Sequence, residues 1–204
     1  MTSANKPKES AEYLQTIQSQ ARLFIIPDSS RISGESRRIL NETNLGKRLL
    51  EPNELSSICA ESQAEPVAIL TFQHMMDGLV EHARLRIKKQ FPLLFKINGA
   101  LYTPDRSKAC WRDLWHFLRI TTYGAAIDDL SFCDQQGYAA TMELYRLFNV
   151  PVDAMAAALV DMASTYRERL QSAPSATEQQ LIGGLGHIHT SLQRARHLSW
   201  EMPV

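Results

Sequence analysis

Apolar residues recur along this chain at three- and four-residue intervals, the spacing that places them on one face of an α-helix, and no segment shows the alternation of a strand. Tyr13, Leu14, Ile17, Ala21 and Phe24 predict an amphipathic helix over Ala11–Phe24, ending at Pro27-Asp28. Met1–Ser10 is polar and reads as a frayed end. The following segment, rich in Ser, Gly, Asn and Arg, reads as a linker with a short helix over Glu35–Asn41. A helix start is expected at Glu51-Pro52, and a long helix from Glu65 or Pro66 to Gln90 carries Ile69, Phe72, Met76, Leu79, Val80, Ala83 and Ile87. It stops before Phe91-Pro92, because a residue preceding proline avoids the α region. Leu93–Thr103 reads as an irregular loop. Lys108–Gly124 is helical, and Asn149 reads as the cap of an Ala-rich helix running to about Leu170. A last helix is expected over Ala176–His197.

The Lys108–Gly124 helix holds the residues with chemistry. Cys110, Asp113 and Phe117 fall at i, i+3 and i+7 and share a face, with Trp111, Trp115 and Leu118 beside them and Arg112, His116 and Arg119 as a polar stripe. A thiol and a carboxylate therefore look into the same space. By themselves, a buried Cys is commonly a small hydrophobe and an Arg-Asp neighbour pair a solvated helix face.

Composition adds mainly exclusions. The chain has 204 residues and a formal net charge of zero, which gives no electrostatic bias toward nucleic acid or anionic lipid. Its three cysteines, at 59, 110 and 133, form neither an even disulfide set nor a close metal-binding pair. With no signal-like or membrane-length apolar run, a reduced, cytoplasmic protein without membrane insertion is expected. Of the six histidines, His74 and His82 are eight apart and His187 and His189 two apart, so neither pair makes the i, i+4 ligand spacing of helical zinc sites. Gly183-Gly184-Leu185-Gly186 follows no strand and reads as a loosened or close-packed helical turn, not a nucleotide loop. No Ser-His-Asp or Cys-His constellation can be assembled, so an enzyme is not indicated.

Cys110-x-Arg112-Asp113, then Leu118-Arg119, then Thr122-Tyr123-Gly124, resembles the chromophore helix of the phycobiliproteins, the allophycocyanin and phycocyanin subunits. The likeness runs from about Glu51 to about Ala195, with Asp129, Gly137, Glu143, Tyr145 and Pro151 at matching places. It implies an all-α, globin-like fold of about seven or eight helices, its globin-like domain over 51–204 preceded by an N-terminal extension over 1–50 of helix and linker.

The resemblance also implies a linear tetrapyrrole, a phycocyanobilin-type bilin, thioether-linked to Cys110. Asp113 would accept hydrogen bonds from the central pyrrole N–H groups and Arg112 would pair with a propionate. Tyr102-Thr103 would pack over the pigment, Arg106 and Lys108 lie close enough in sequence to reach a propionate, and Phe117 and Tyr123 complete the expected pocket. The partners implied are other phycobiliprotein subunits or a second copy, and a bilin lyase. The place implied is the cytoplasmic face of the thylakoid. Two departures stand out: Ala100 replaces the asparagine that beta-type subunits carry two residues ahead of the Tyr, and Asp128 replaces the glycine of the turn before Asp129. The first argues against an ordinary beta subunit; the second sets a cost on the turn.

Overall fold

The computed structural model describes residues 11–198, in eight α-helices. They are α1 Ala11–Gln20, α2 Gly34–Leu45, α3 Pro52–Ser62, α4 Pro66–Gln90, α5 Pro104–Ala126, α6 Gln135–Leu147, α7 Val152–Arg169 and α8 Ala176–Ala195, with a 3-10 turn at Pro92–Phe95. Among the described residues the only extended pairing is a single bridge between Phe24 and Cys133. The expected all-α fold is the one observed; the polar Met1–Ser10 lies outside the described residues.

Local chemistry sets most of the helix starts. Proline opens α3, α4 and α5, where its missing N–H costs nothing. Ser33 accepts from the Ser36 N–H at 3.2 Å, Asp134 from those of Gln136 and Gly137 at 3.0 and 3.1 Å, and Ser175 and Glu178 form a reciprocal capping box.

Three helix ends share one device without glycine. Lys47, Asp128 and Asn149 have φ of 51°, 50° and 50°, the left-handed region. At each, two N–H groups fold back onto the last carbonyls: Arg48 to Thr43 at 3.2 Å, Asp129 to Gly124 at 3.1 Å and Val150 to Tyr145 at 2.7 Å are the longer-range of the two bonds. Asp128 thus keeps the turn that the resemblance assigns to glycine.

Three sequence expectations change. The first helix stops at Gln20 and not at Phe24, because the chain must extend to lie across α6. The linker helix is longer than Glu35–Asn41, since Ser33 caps it and Ser36, Leu40 and Thr43 give it a buried face. Asn149 does not cap α7; it closes α6, and Pro151 precedes α7.

The core lies where α4, α5, α7 and α8 cross. Phe72 meets Tyr166 edge-on at 4.7 Å between ring centres, and Leu114, Phe117, Leu118, Leu159, Met162 and Leu185 are fully buried. Each such side chain contributes about 1.5–3 kcal/mol on burial. The Gly183-Gly184 pair runs inside α8, with Gly184 against Thr121 of α5. Gly124 serves a similar end, since a Cβ there would sit 2.2 Å from the Phe132 ring.

The N-terminal segment is bound to the same body. Tyr13 and Ile17 of α1 pack on Ala140, Leu144 and Leu147 of α6, and the Tyr13 hydroxyl donates to Glu143 at 2.8 Å. Residues 21–25 then cross α6 so closely that a Cβ on Gly137 would lie 1.6 Å from the Arg22 carbonyl oxygen. The Ile25 N–H bonds the Phe132 carbonyl at 2.9 Å.

Candidate functional site

The rotational setting of α5 decides what Cys110 faces. On one side Trp111 stacks on Phe95 of the 3-10 turn, 6.3 Å between ring centres at 14°, and the Trp115 indole N–H donates to Asp77 of α4 at 3.1 Å. On another, Leu114, Phe117 and Leu118 enter the core. Cys110 and Asp113 are left looking toward the turn between α6 and α7.

There they share a cavity of about 290 Å³, walled by Ala100, Leu101, Ala109, Phe148, Val150 and Pro151, with Asp105 and Arg106 also on the lining. The volume is at the lower end for small-molecule sites, and the walls are mainly apolar.

Within the cavity Cys110 is buried, at 5 % exposure. Burial first, and the neighbouring Asp113 charge second, push its thiol pKa up to about 12. A thiolate is the reactive form of cysteine, and burial beside the Asp113 charge disfavours that form at pH 7.

Asp113 is tethered on both oxygens. Its Oδ2 accepts from the Tyr145 hydroxyl at 3.1 Å, and its Oδ1 lies 3.4 Å from the Arg112 guanidinium. Burial raises the Asp113 carboxyl pKa; Arg112 and the Tyr145 hydrogen bond oppose that without cancelling it. A carboxylate held this way, beside an apolar hollow, would be stabilised by any cationic or N–H-rich group that came to it.

The other expected residues are dispersed. Arg106 lines the cavity, but its guanidinium is engaged with backbone carbonyls: Nε donates to Ala100 at 2.6 Å and Nη2 to Phe148 at 2.6 Å and Asn149 at 3.1 Å. Arg112 and Lys108 are exposed and do not line it. Thr103 caps α5 by accepting from the Arg106 N–H, and Tyr102 is half exposed on the loop before it.

Phe117 and Tyr123 are fully buried and not on the cavity wall. Tyr123 is thirteen residues beyond Cys110, about 20 Å along a helix. Its hydroxyl donates to the Arg48 carbonyl and accepts from Arg119 at 2.7 Å. The polar stripe of the sequence is therefore partly covered. Arg119 is buried, bonded to Tyr123, His116 and Asn44 of α2, and burial beside that cation lowers the His116 pKa to about 4.

Sequence reasoning placed Tyr145 in register but gave it no role. Among the described residues it is the one side chain besides Arg112 that bonds Asp113. The signal was a tyrosine on the apolar face of a helix, whose hydroxyl needs a buried partner. Val150 was given no part in the site and Pro151 only a matching place, and both prove to be cavity wall.

The family model described as "Phycobilisome protein" matches residues 38–187, reaching ahead of Glu51 to include much of α2. The chain is 27 % identical over 134 residues to the allophycocyanin alpha chain of Mastigocladus laminosus, covering 63 % of this chain and 82 % of that one. It is 29 % identical over 112 residues to allophycocyanin alpha chain 2 of Microchaete diplosiphon, covering 53 % and 70 % respectively. With the allophycocyanin alpha chain of Galdieria sulphuraria the figures are 26 % over 132 residues, 63 % and 82 %. With the matched region spanning α3 to most of α8 and the Cys110–Asp113 face inside it, the chain belongs to the phycobilisome protein family and is allophycocyanin-like.

Proposed function

We propose that this protein carries a linear tetrapyrrole of the phycocyanobilin type, bound by a thioether at Cys110, and absorbs light with it. The observation that supports this most is the pairing of a buried thiol and a tethered carboxylate on the wall of one apolar cavity. When bound, the pigment supplies the visible absorption, and the chain supplies what keeps that absorption strong.

Cys110 fixes one end. Asp113, steadied by Tyr145, offers two lone-pair-bearing oxygens to ring N–H groups and favours their cationic form. Arg112, exposed and only loosely paired, is free to turn to a propionate, as is Lys108. The apolar walls exclude water around the attachment point. The high thiol pKa means that unaided attachment is slow, which favours a lyase as assistant.

Other phycobiliprotein subunits, or a second copy, are the partners this reading implies, in an antenna at the cytoplasmic face of the thylakoid. Among the described residues no helix is long and apolar enough to cross a membrane. A role outside the antenna, as an atypical light-sensing or pigment-storing relative, is favoured by one observation: the apolar face of α1 is covered by α6 of the same chain and asks for no neighbour.

Co-expression with a bilin supply tests the proposal. A coloured protein whose pigment survives denaturing electrophoresis, seen by zinc-enhanced fluorescence and lost in Cys110→Ser, is expected. A colourless band, or pigment kept in Cys110→Ser, would sink it. Asp113→Ala should keep the pigment but weaken its absorption and fluorescence, and Arg112→Ala should do less.

A further inference from the structure

The zero net charge of the chain hides a local excess. Residues 84–98 carry five cations, Arg84, Arg86, Lys88, Lys89 and Lys96, and no acid, so the rest of the chain is acidic by the same five charges. They span the last turns of α4, the 3-10 turn Pro92–Phe95 and the start of the loop behind it. Arg84 pairs with Glu81 and Arg86 with Asp161. Lys88, Lys89 and Lys96 are exposed and pair with no carboxylate among the described residues.

Apolar side chains stand bare among these cations. Leu85, three and four residues ahead of Lys88 and Lys89 and so on their face of α4, is 48 % exposed, while Leu93 and Ile97 are 71 % and 73 % exposed. A tightly bonded loop presents the last two. The Lys88 Nζ lies 5.8 Å from the centre of the Phe95 ring, which ties the turn to the helix. The Gly99 N–H donates to the Lys96 carbonyl and the Leu101 N–H to the Leu94 carbonyl, both at 2.8 Å. A Cβ on Gly99 would sit 2.4 Å and 2.3 Å from the Leu93 and Leu94 carbonyl oxygens, so the chain doubles back closely and leaves Leu93 and Ile97 in solvent.

We propose that this end of α4 and the turn after it form a contact surface for an anionic lipid bilayer. Leu93 and Ile97, with Leu85 behind them, would enter the boundary between headgroups and acyl chains while the lysines meet lipid phosphates. Two features favour a bilayer over a protein partner. Protein interfaces are depleted in Lys, whereas an anionic leaflet attracts it. The apolar tip and the free lysines also supply two signals at once, the combination that holds a protein on a membrane surface where either alone is marginal. The contact is peripheral, and it needs neither the pigment nor the antenna role proposed above.

Co-sedimentation of the pigment-free protein with vesicles tests it. Vesicles of phosphatidylglycerol and phosphatidylcholine in equal parts should bind at least about tenfold more tightly than phosphatidylcholine alone at low salt, and the difference should shrink as salt screens the charges. Each lysine near an anionic surface is worth about fivefold in affinity, so Lys89→Glu with Lys96→Glu should lose at least about twentyfold. Leu93→Ser with Ile97→Ser should lose about tenfold and keep the salt dependence. Val67→Ser, 72 % exposed at the other end of α4, should change nothing. Because all of these side chains are exposed, urea midpoints should match the wild type. Equal binding to both vesicles, no binding to either, or binding unchanged in either double variant overturns the proposal. An equal loss in Val67→Ser does the same. So does a protein that ignores both vesicles and whose self-association, read by light scattering, falls in the charge variant; the surface is then a protein contact.

Discussion

Gly137→Ala tests how firmly the N-terminal segment belongs to this fold. The new Cβ would lie 1.6 Å from the Arg22 carbonyl oxygen, 2.5 Å from its carbon and 2.8 Å from its nitrogen. An ordinary C···O contact is about 3.3 Å, so one backbone must retreat by roughly 1.7 Å, and neither is a side chain that can swing aside. Forcing extra volume into a packed site costs about 1–3 kcal/mol. If the strand lifts, the Ile25–Phe132 hydrogen bond goes too, worth about 1 kcal/mol. Part of the burial of Tyr13 and Ile17 follows, at up to about 2 kcal/mol each. Alanine returns about 1 kcal/mol of helix propensity to α6. A net loss of about 2–5 kcal/mol is expected in urea unfolding, with hydrogen-exchange protection lost selectively over residues 11–26. Gly186→Ala is the control, because a Cβ there meets nothing within 4 Å, and it should be neutral or stabilising. A Gly137→Ala protein within about 0.5 kcal/mol of wild type, with residues 11–26 still protected, would refute the close crossing.

Three further outcomes follow from groups in the structure. Cys59 and Cys110 have thiol pKa values raised to about 11 and about 12, so both stay protonated when folded while their unfolded counterparts ionise near 9. Their stabilising share is complete below about pH 8 and is lost as pH climbs, about 1.4 kcal/mol each by pH 10; urea unfolding under reducing conditions that showed no fall between pH 8 and 10 would contradict the burial of both. Tyr145→Phe removes the hydrogen bond that favours ionised Asp113, so it should cost about 1–2 kcal/mol at pH 7 and less as acid protonates the carboxyl, with the Asp113 titration by NMR moving upward. Asp128→Val should cost about 1–2 kcal/mol at a left-handed position that Asp128→Gly occupies freely, and equal stabilities for the two would show that the turn carries no strain.

What could be read from the sequence was whatever depends on neighbours a few residues apart. The starts of α3 and α4 were visible in their prolines, whereas α5 begins at Pro104, ahead of the Lys108 where the sequence reading placed it, and the shared outlook of Cys110 and Asp113 follows from their spacing of three. What lay hidden depends on distant segments. Tyr145 reaches Asp113 from another helix, Arg106 finds carbonyls more than forty residues away, and α2 turns an exposed-looking Arg119 into a buried one. Asn149 failed as a cap because the same small polar residue suits either end of a helix, and only the path of the chain decides which. Phe117 and Tyr123 share the site helix with Cys110 but lie in the core, since a helix of 23 residues has room for both roles.

The pairing of α1 with α6 has a consequence for synthesis. Tyr13 and its partner Glu143 are separated by 130 residues. A chain emerging from the ribosome at roughly 5–20 residues per second offers α1 nothing to lie on for on the order of ten seconds. For that interval the apolar stripe of α1 is bare, while α2 to α5 can already begin to pair with one another. The order of translation therefore makes α1 one of the last helices to dock although it is made well before its partner, and gives any chaperone that attends this protein a long-lived target.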